Sequence, residues 1–146
     1  MRDVANGFNI IGSSSYGALD FWENIGTINL SNLDVLNTNP NGEGIAIASH
    51  IGAVVLQNVD SSDNPGGGIN IANPGGSIAP VTIKNSSFEN NGGNTSTNGL
   101  YINTRGAVLL DGVTVNGNGV TNGTLSAFYI SQSGKLTIKN SVFNNN

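Results

Sequence analysis

A chain of 146 residues with only 10% charged side chains and a formal net charge of −4 has the length of a single domain and too few cations (Arg2, Lys84, Arg105, Lys135 and Lys139) for a nucleic-acid footprint. It has no cysteine, which excludes disulfides and thiolate metal sites. No run reaches the ~18 uninterrupted apolar residues of a membrane-spanning helix; the best stretch, Gly44 to Val59, is broken by His50 and Gln57.

The first segment, Val4 to Ile11, reads as part of a turn of structure, and Ser13 to Gly17 as a loop. From Leu19 onward one pattern recurs. An apolar pair in alternation comes first: Leu19 and Phe21, Ile45 and Ile47, Ile69 and Ile71, Leu100 and Ile102, Phe128 and Ile130. A glycine column follows at Gly26, Gly52, Gly106 and Gly134, with Ala79 in its place once. A second apolar step then ends at Leu30, Leu56, Ile83, Leu110 and Ile138, two residues before Asn32, Asn58, Asn85, Gly112 and Asn140. A third step gives Val35, Ser61, Phe88, Val115 and Phe143. With Asn6 as the first marker, the gaps are 26, 26, 27, 27 and 28 residues.

Period-2 alternation is the mark of strands with one buried face, and no window carries the spacing of an amphipathic helix. Three short strands in 26 to 28 residues form one rung of a parallel β-solenoid, which cannot bury its apolar face alone and does so by stacking. The expected fold is therefore all-β, with about five to six rungs. Like residues should stand in interior columns such as Leu30–Leu56–Ile83–Leu110–Ile138. The whole of 1–146 reads as one such domain. It stops mid-rung at Phe143 to Asn146, so a segment of a longer solenoid is expected, with end-to-end stacking of copies as the alternative.

The rungs GIAIASHIGAVVLQNVDSSDN, GLYINTRGAVLLDGVTVNGN and AFYISQSGKLTIKNSVFNNN resemble the right-handed parallel β-helix repeat family, the superfold of pectate lyases and polygalacturonases. The resemblance covers nearly the whole chain. It implies a right-handed coil, three parallel sheets and an inward asparagine ladder at a tight turn. Here that ladder would be Asn6, Asn32, Asn58, Asn85 and Asn140. Such a fold hosts many activities and fixes none.

In enzymes of that superfold, acidic residues and a base act on the outside of the first sheet. The outward positions here are Asp20 and Trp22, Ala46 and Ala48, Asn70 and Ala72, Tyr101 and Asn103, Tyr129 and Ser131. One carboxylate and no cation is a poor match for the paired carboxylates of glycoside hydrolysis, so no catalytic residue is assigned. Trp22, Tyr101, Tyr129 and Asp20 are candidates for sugar contact; the plainer reading of the tyrosines is mutual stacking within a ladder. Asp34 and Asp60 should stack outward with Asp63 and Glu89 near the same edge. Their repulsion would draw Ca²⁺, though six or more oxygens are wanted, and a solvated pair is the plainer reading. Lys84, Asp111 and Lys139 should form a column of alternating sign. His50 reads as a polar turn residue.

The expected function is a non-catalytic, extracellular structural or adhesive module, a rigid spacer or docking surface without a cofactor. The alternative is a carbohydrate-binding module, or a fragment of a polysaccharide lyase or glycoside hydrolase whose catalytic rungs lie elsewhere. Expected partners are polysaccharide, another protein or a second copy, and neither nucleic acid nor membrane.

Overall fold

Alternation through the chain builds strands and nothing else. The computed structural model describes residues 8–11, 17–36, 42–73, 78–92, 98–119, 128–132 and 134–146, and no helix occurs among them. The strands are β1 (Phe8–Ile11), β2 (Gly17–Trp22) and β3 (Ile28–Leu36), then β4 (Glu43–Ala48) and β5 (Val54–Ser62). There follow β6 (Ile69–Asn73), β7 (Val81–Lys84), β8 (Ser87–Glu89), β9 (Leu100–Thr104), β10 (Val108–Asp111) and β11 (Thr114–Asn116). The last level holds β12 (Phe128–Gln132), β13 (Leu136–Lys139) and β14 (Val142–Asn144).

Every strand pairs in parallel with its equivalent one repeat away: Leu30 with Leu56, Leu56 with Ile83, Ile83 with Leu110, and Leu110 with Ile138. The second column, Phe21, Ile47, Ile71, Ile102 and Ile130, stacks the same way. The result is a parallel β-solenoid in which about 4 turns of chain separate five levels of strand. Ile45, Ile47, Leu56, Ile69, Ile71, Ile83, Phe88, Leu100, Ile102 and Leu110 are wholly enclosed and form one continuous core.

Hydrogen bonding joins the strands into two sheets, where three were expected. A five-stranded sheet runs β12-β9-β6-β4-β2, and a nine-stranded one contains all the others. The larger sheet has two facets because β3 and β5 pass through a corner, at Asn32 and Asn58, without losing their pairing. Later levels break at the same corner into β7 and β8, β10 and β11, and β13 and β14.

That corner corrects the inward ladder. Asn32, Asn58, Asn85 and Asn140 are exposed, and all hold left-handed backbone conformations, with φ of 51°, 54°, 46° and 52°. Asparagine recurs there because it tolerates positive φ better than other side chains. Gly112 at φ 69° continues the series: glycine enters this region freely, so its departure from asparagine leaves no interior vacancy to fill. Asn58 Nδ2 donates to Asn32 Oδ1 at 3.0 Å, on the outside. Asn6 lies outside the described residues.

The inward ladder stands six residues further on. Asn64, Asn91 and Asn118 are buried. The backbone N–H of Asn64 donates to Asn91 Oδ1 (3.0 Å), that of Asn91 to Asn118 Oδ1 (2.9 Å), and that of Asn118 to Asn146 Oδ1 (3.3 Å). Each Nδ2 meanwhile donates to a carbonyl of the level beneath: Asn64 to Val35, Asn91 to Ser61, Asn118 to Phe88 and Asn146 to Val115, at 2.8–2.9 Å. Buried amides must be bonded, and this arrangement satisfies both ends of each side chain where the strands break. The glycine corner holds as expected: a Cβ on Gly52 would collide with the Gly26 carbonyl.

Candidate functional site

The five-stranded sheet presents the outward residues that the alternation predicts, Asp20 stacking on Ala46, Ala46 on Asn70, Asn70 on Tyr101 and Tyr101 on Tyr129. The two tyrosine rings lie 5.1 Å apart at 13°, a parallel stack, a geometry worth about 0.5–1.5 kcal/mol beyond area burial. Asn103 Nδ2 donates to the Tyr101 hydroxyl at 3.3 Å. Tyr129 keeps 41% of its surface exposed.

At the other end of the same sheet, Asp20, Trp22, Glu43, Ala46, Ile47, Ala48 and Asn70 line a cleft of about 280 Å³. Small residues make its floor: Ala46 and Ala48 stand one level above Asp20 and Trp22, and the short side chains leave space beside the indole. Trp22 is 64% exposed. Glu43 Oε1 accepts a 3.1 Å hydrogen bond from Asn70 Nδ2, which ties that carboxylate to the sheet face. Thus two of the four sugar-contact candidates, Asp20 and Trp22, share a cleft. The other two, Tyr101 and Tyr129, share a stack three and four levels along.

Glu43 is the residue that sequence reasoning missed. Alternation counted back from Ile45 turns Glu43 inward, but it is the first residue of β4 and its side chain reaches outward Asn70. Strand ends escape the two-residue rule, so no periodic signal could have found it.

Asp34 pairs in register with Asp60 on the larger sheet, as expected. Burial first, then the Asp60 charge, push the Asp34 carboxyl above its ordinary value. The Ser62 hydroxyl donates to Asp60 Oδ1. Asp63 sits apart, in the following corner at φ 54°. Among the described residues no cluster of three or more metal-ligating side chains occurs. Two carboxylates and a hydroxyl are fewer than the six to eight oxygens that Ca²⁺ takes.

The column of alternating charge forms as expected, with Lys84 stacked on Asp111 and Asp111 on Lys139. Lys139 Nζ lies 3.2 Å from Asp111 Oδ2. A hydrogen bond from Asn140, then that from Lys139, hold the Asp111 carboxyl below its ordinary value. His50 stands in the corner between β4 and β5, as expected of a turn residue, but it is 2% exposed, and neither ring nitrogen has a partner among the described residues. Its backbone N–H is bonded to Asn73 Oδ1 at 2.8 Å.

Compared with protein-family models, with curated proteins and with solved structures, the chain matches none.

Proposed function

We propose that this chain is a non-catalytic structural or adhesive β-solenoid module of an extracellular protein, a rigid body whose five-stranded sheet serves as the docking face. The observation that carries this reading is the buried asparagine ladder through Asn64, Asn91 and Asn118. Clamping successive levels in a fixed register stiffens a stack whose units touch only their neighbours. The outer faces support the same reading: they carry mostly Asn, Ser, Thr, Ala and Gly, suited to contact rather than proton transfer.

The Tyr101–Tyr129 stack and the Trp22 cleft favour a second reading, in which the docked partner is a carbohydrate. Aromatic faces open on a flat sheet are suited to stacking on sugar rings. The fragment of a polysaccharide lyase or glycoside hydrolase, within the superfold that the sequence resembles, belongs to this reading.

A glycan array probed with the wild-type chain and with Tyr101→Ala and Tyr129→Ala decides between the two. Binding that these changes abolish selects the carbohydrate reading, whereas silence across the array leaves the spacer. Release of reducing ends or unsaturated products from a polysaccharide panel would overturn the non-catalytic assignment.

A further inference from the structure

We infer that the cleft at Trp22, Asp20 and Glu43 takes an amine-bearing sugar, so that the chain docked on this sheet is a cationic glycan. The inference rests on the carbohydrate reading above and adds the charge of the ligand. Its starting point is the charge distribution of one face. Among the described residues whose side chains stand outward on the five-stranded sheet, the charged groups are Asp20 and Glu43, both in the cleft. The described cations lie elsewhere: Lys84 and Lys139 are on β7 and β13 of the larger sheet, and Arg105 and Lys135 follow β9 and precede β13. Among the described residues the cleft is therefore the place on this face where two negative charges come together.

Partner geometry narrows the ligand further. Glu43 has one oxygen engaged by Asn70. Among the described residues Asp20 makes no ion pair or hydrogen bond. What the cleft offers is thus acceptors, and a ligand must bring donors and positive charge. An acidic sugar entering it would meet like charges. A neutral sugar would bring hydroxyl donors to the two carboxylates but would leave their charge uncompensated as water is excluded, at a desolvation cost. An ammonium substituent would pair with the carboxylates, and the exposed indole of Trp22 adds a cation–π partner.

The volume and the floor favour a ring over a bare ion. About 280 Å³ is at the small end of the ~300–1,000 Å³ of small-molecule clefts, which suits one ring-sized unit. From Trp22 on β2 to Tyr101 on β9 the sheet climbs three strand spacings, or roughly 14 Å. Ala48 and Ala72 floor the intervening levels, so an extended oligosaccharide can lie flat between the two aromatic platforms. A lysine-rich peptide would also satisfy the carboxylates and could set an ammonium on either aromatic face, but the flat floor at Ala48 and Ala72 between the platforms suits stacked rings better than a chain whose side chains project to both sides.

The test is calorimetric titration with four hexamers at low salt: glucosamine, N-acetylglucosamine, galacturonate and lysine. Variants are Asp20→Asn/Glu43→Gln together, Trp22→Ala and Tyr129→Ala, all at exposed or half-buried positions and each checked for an unchanged melting temperature. The glucosamine hexamer is expected to bind at least tenfold more tightly than the other three. That binding should fall at least tenfold in the double amide variant, weaken in both aromatic variants, and fade in 0.5 M NaCl, as for a surface ion pair. Equal or tighter binding of the N-acetylated or acidic hexamer overturns the cationic assignment and leaves the carbohydrate reading standing. Binding of the lysine hexamer at equal strength, indifferent to Tyr129→Ala, overturns it in favour of a basic peptide. No binding of any sugar overturns both.

Discussion

The backbone N–H of Asn91 donates to the side-chain oxygen of Asn118, a residue 27 positions later and one level higher, at 2.9 Å. Asn91 in turn accepts from the N–H of Asn64 and donates to the carbonyl of Ser61, both one level lower. Three levels of the coil thus meet at one buried residue, the lower through its side chain and the upper through its backbone.

Asn91→Ala should accordingly be among the most damaging single changes in the chain. It strands a buried N–H on Asn64 and a carbonyl on Ser61, each worth about 1–3 kcal/mol when left unsatisfied. The expected loss is about 2–4 kcal/mol by urea titration. Asn58→Gly, in the exposed column, should cost under about 1 kcal/mol, because glycine accepts the same φ. Equal losses from the two would mean that the ladder has been placed in the wrong column.

The two glycine positions at corners should respond in opposite ways. Gly112→Asn restores the residue found at Asn85 and Asn140, at a φ that asparagine tolerates; the nearest obstacle to its Cβ is the movable Asn85 Oδ1. Its melting temperature should stay within a few degrees of wild type. Gly52→Ala drives a methyl into the Gly26 backbone at φ 145°, and should lower stability by about 2 kcal/mol or more through strain.

His50→Leu should leave stability unchanged or raise it. The imidazole is 2% exposed with both nitrogens unbonded among the described residues, and an unpaired buried polar group is unfavourable by about 1–3 kcal/mol. A leucine of similar volume removes that penalty at the risk of a modest packing mismatch. A fall of more than about 2 kcal/mol in chemical denaturation would show that the ring nitrogens have a role.

Stability against pH should carry the mark of Asp34. Its carboxyl is raised in the folded chain by burial and by Asp60, so the fold favours the protonated form. That contribution is present in full below the ordinary carboxylate range and is lost as pH rises through the raised value. Asp34→Asn should therefore melt higher than wild type at neutral pH, with the difference closing toward pH 3. Asp111, lowered by Asn140 and Lys139, acts in the reverse sense, and Asp111→Asn should lose stability at neutral pH and none at acid pH. A difference for Asp34→Asn that widens on acidification would refute the assignment.

The interior apolar columns were fully legible in the amino-acid order, because alternation and a repeat of 26 to 28 residues leave one way to stack Leu56 on Ile83. The outward tyrosines followed from the same rule. The ladder was misplaced because Asn32, Asn58, Asn85 and Asn140 mark two different physical demands with one residue type. Asparagine serves positive φ at an exposed corner as readily as it serves buried hydrogen bonding. Substitution does not separate the two columns, since the exposed one holds Gly112 and the positions six residues after Asn6 and Asn32 are Gly12 and Thr38; only the backbone geometry does. The burial of His50 was not legible, because a turn position does not say whether its side chain faces in or out. Glu43 could not be placed, since its role depends on where β4 begins.

One property of the buried ladder bears on how such a stack is assembled. Both polar atoms of each asparagine side chain engage the level already made before it in the chain: Oδ1 takes the earlier asparagine's amide, and Nδ2 the earlier carbonyl. Each coil thus brings its own latch and fastens itself downward, without needing anything still to be synthesised. The fastening is directional, and its direction is that in which a ribosome delivers the chain.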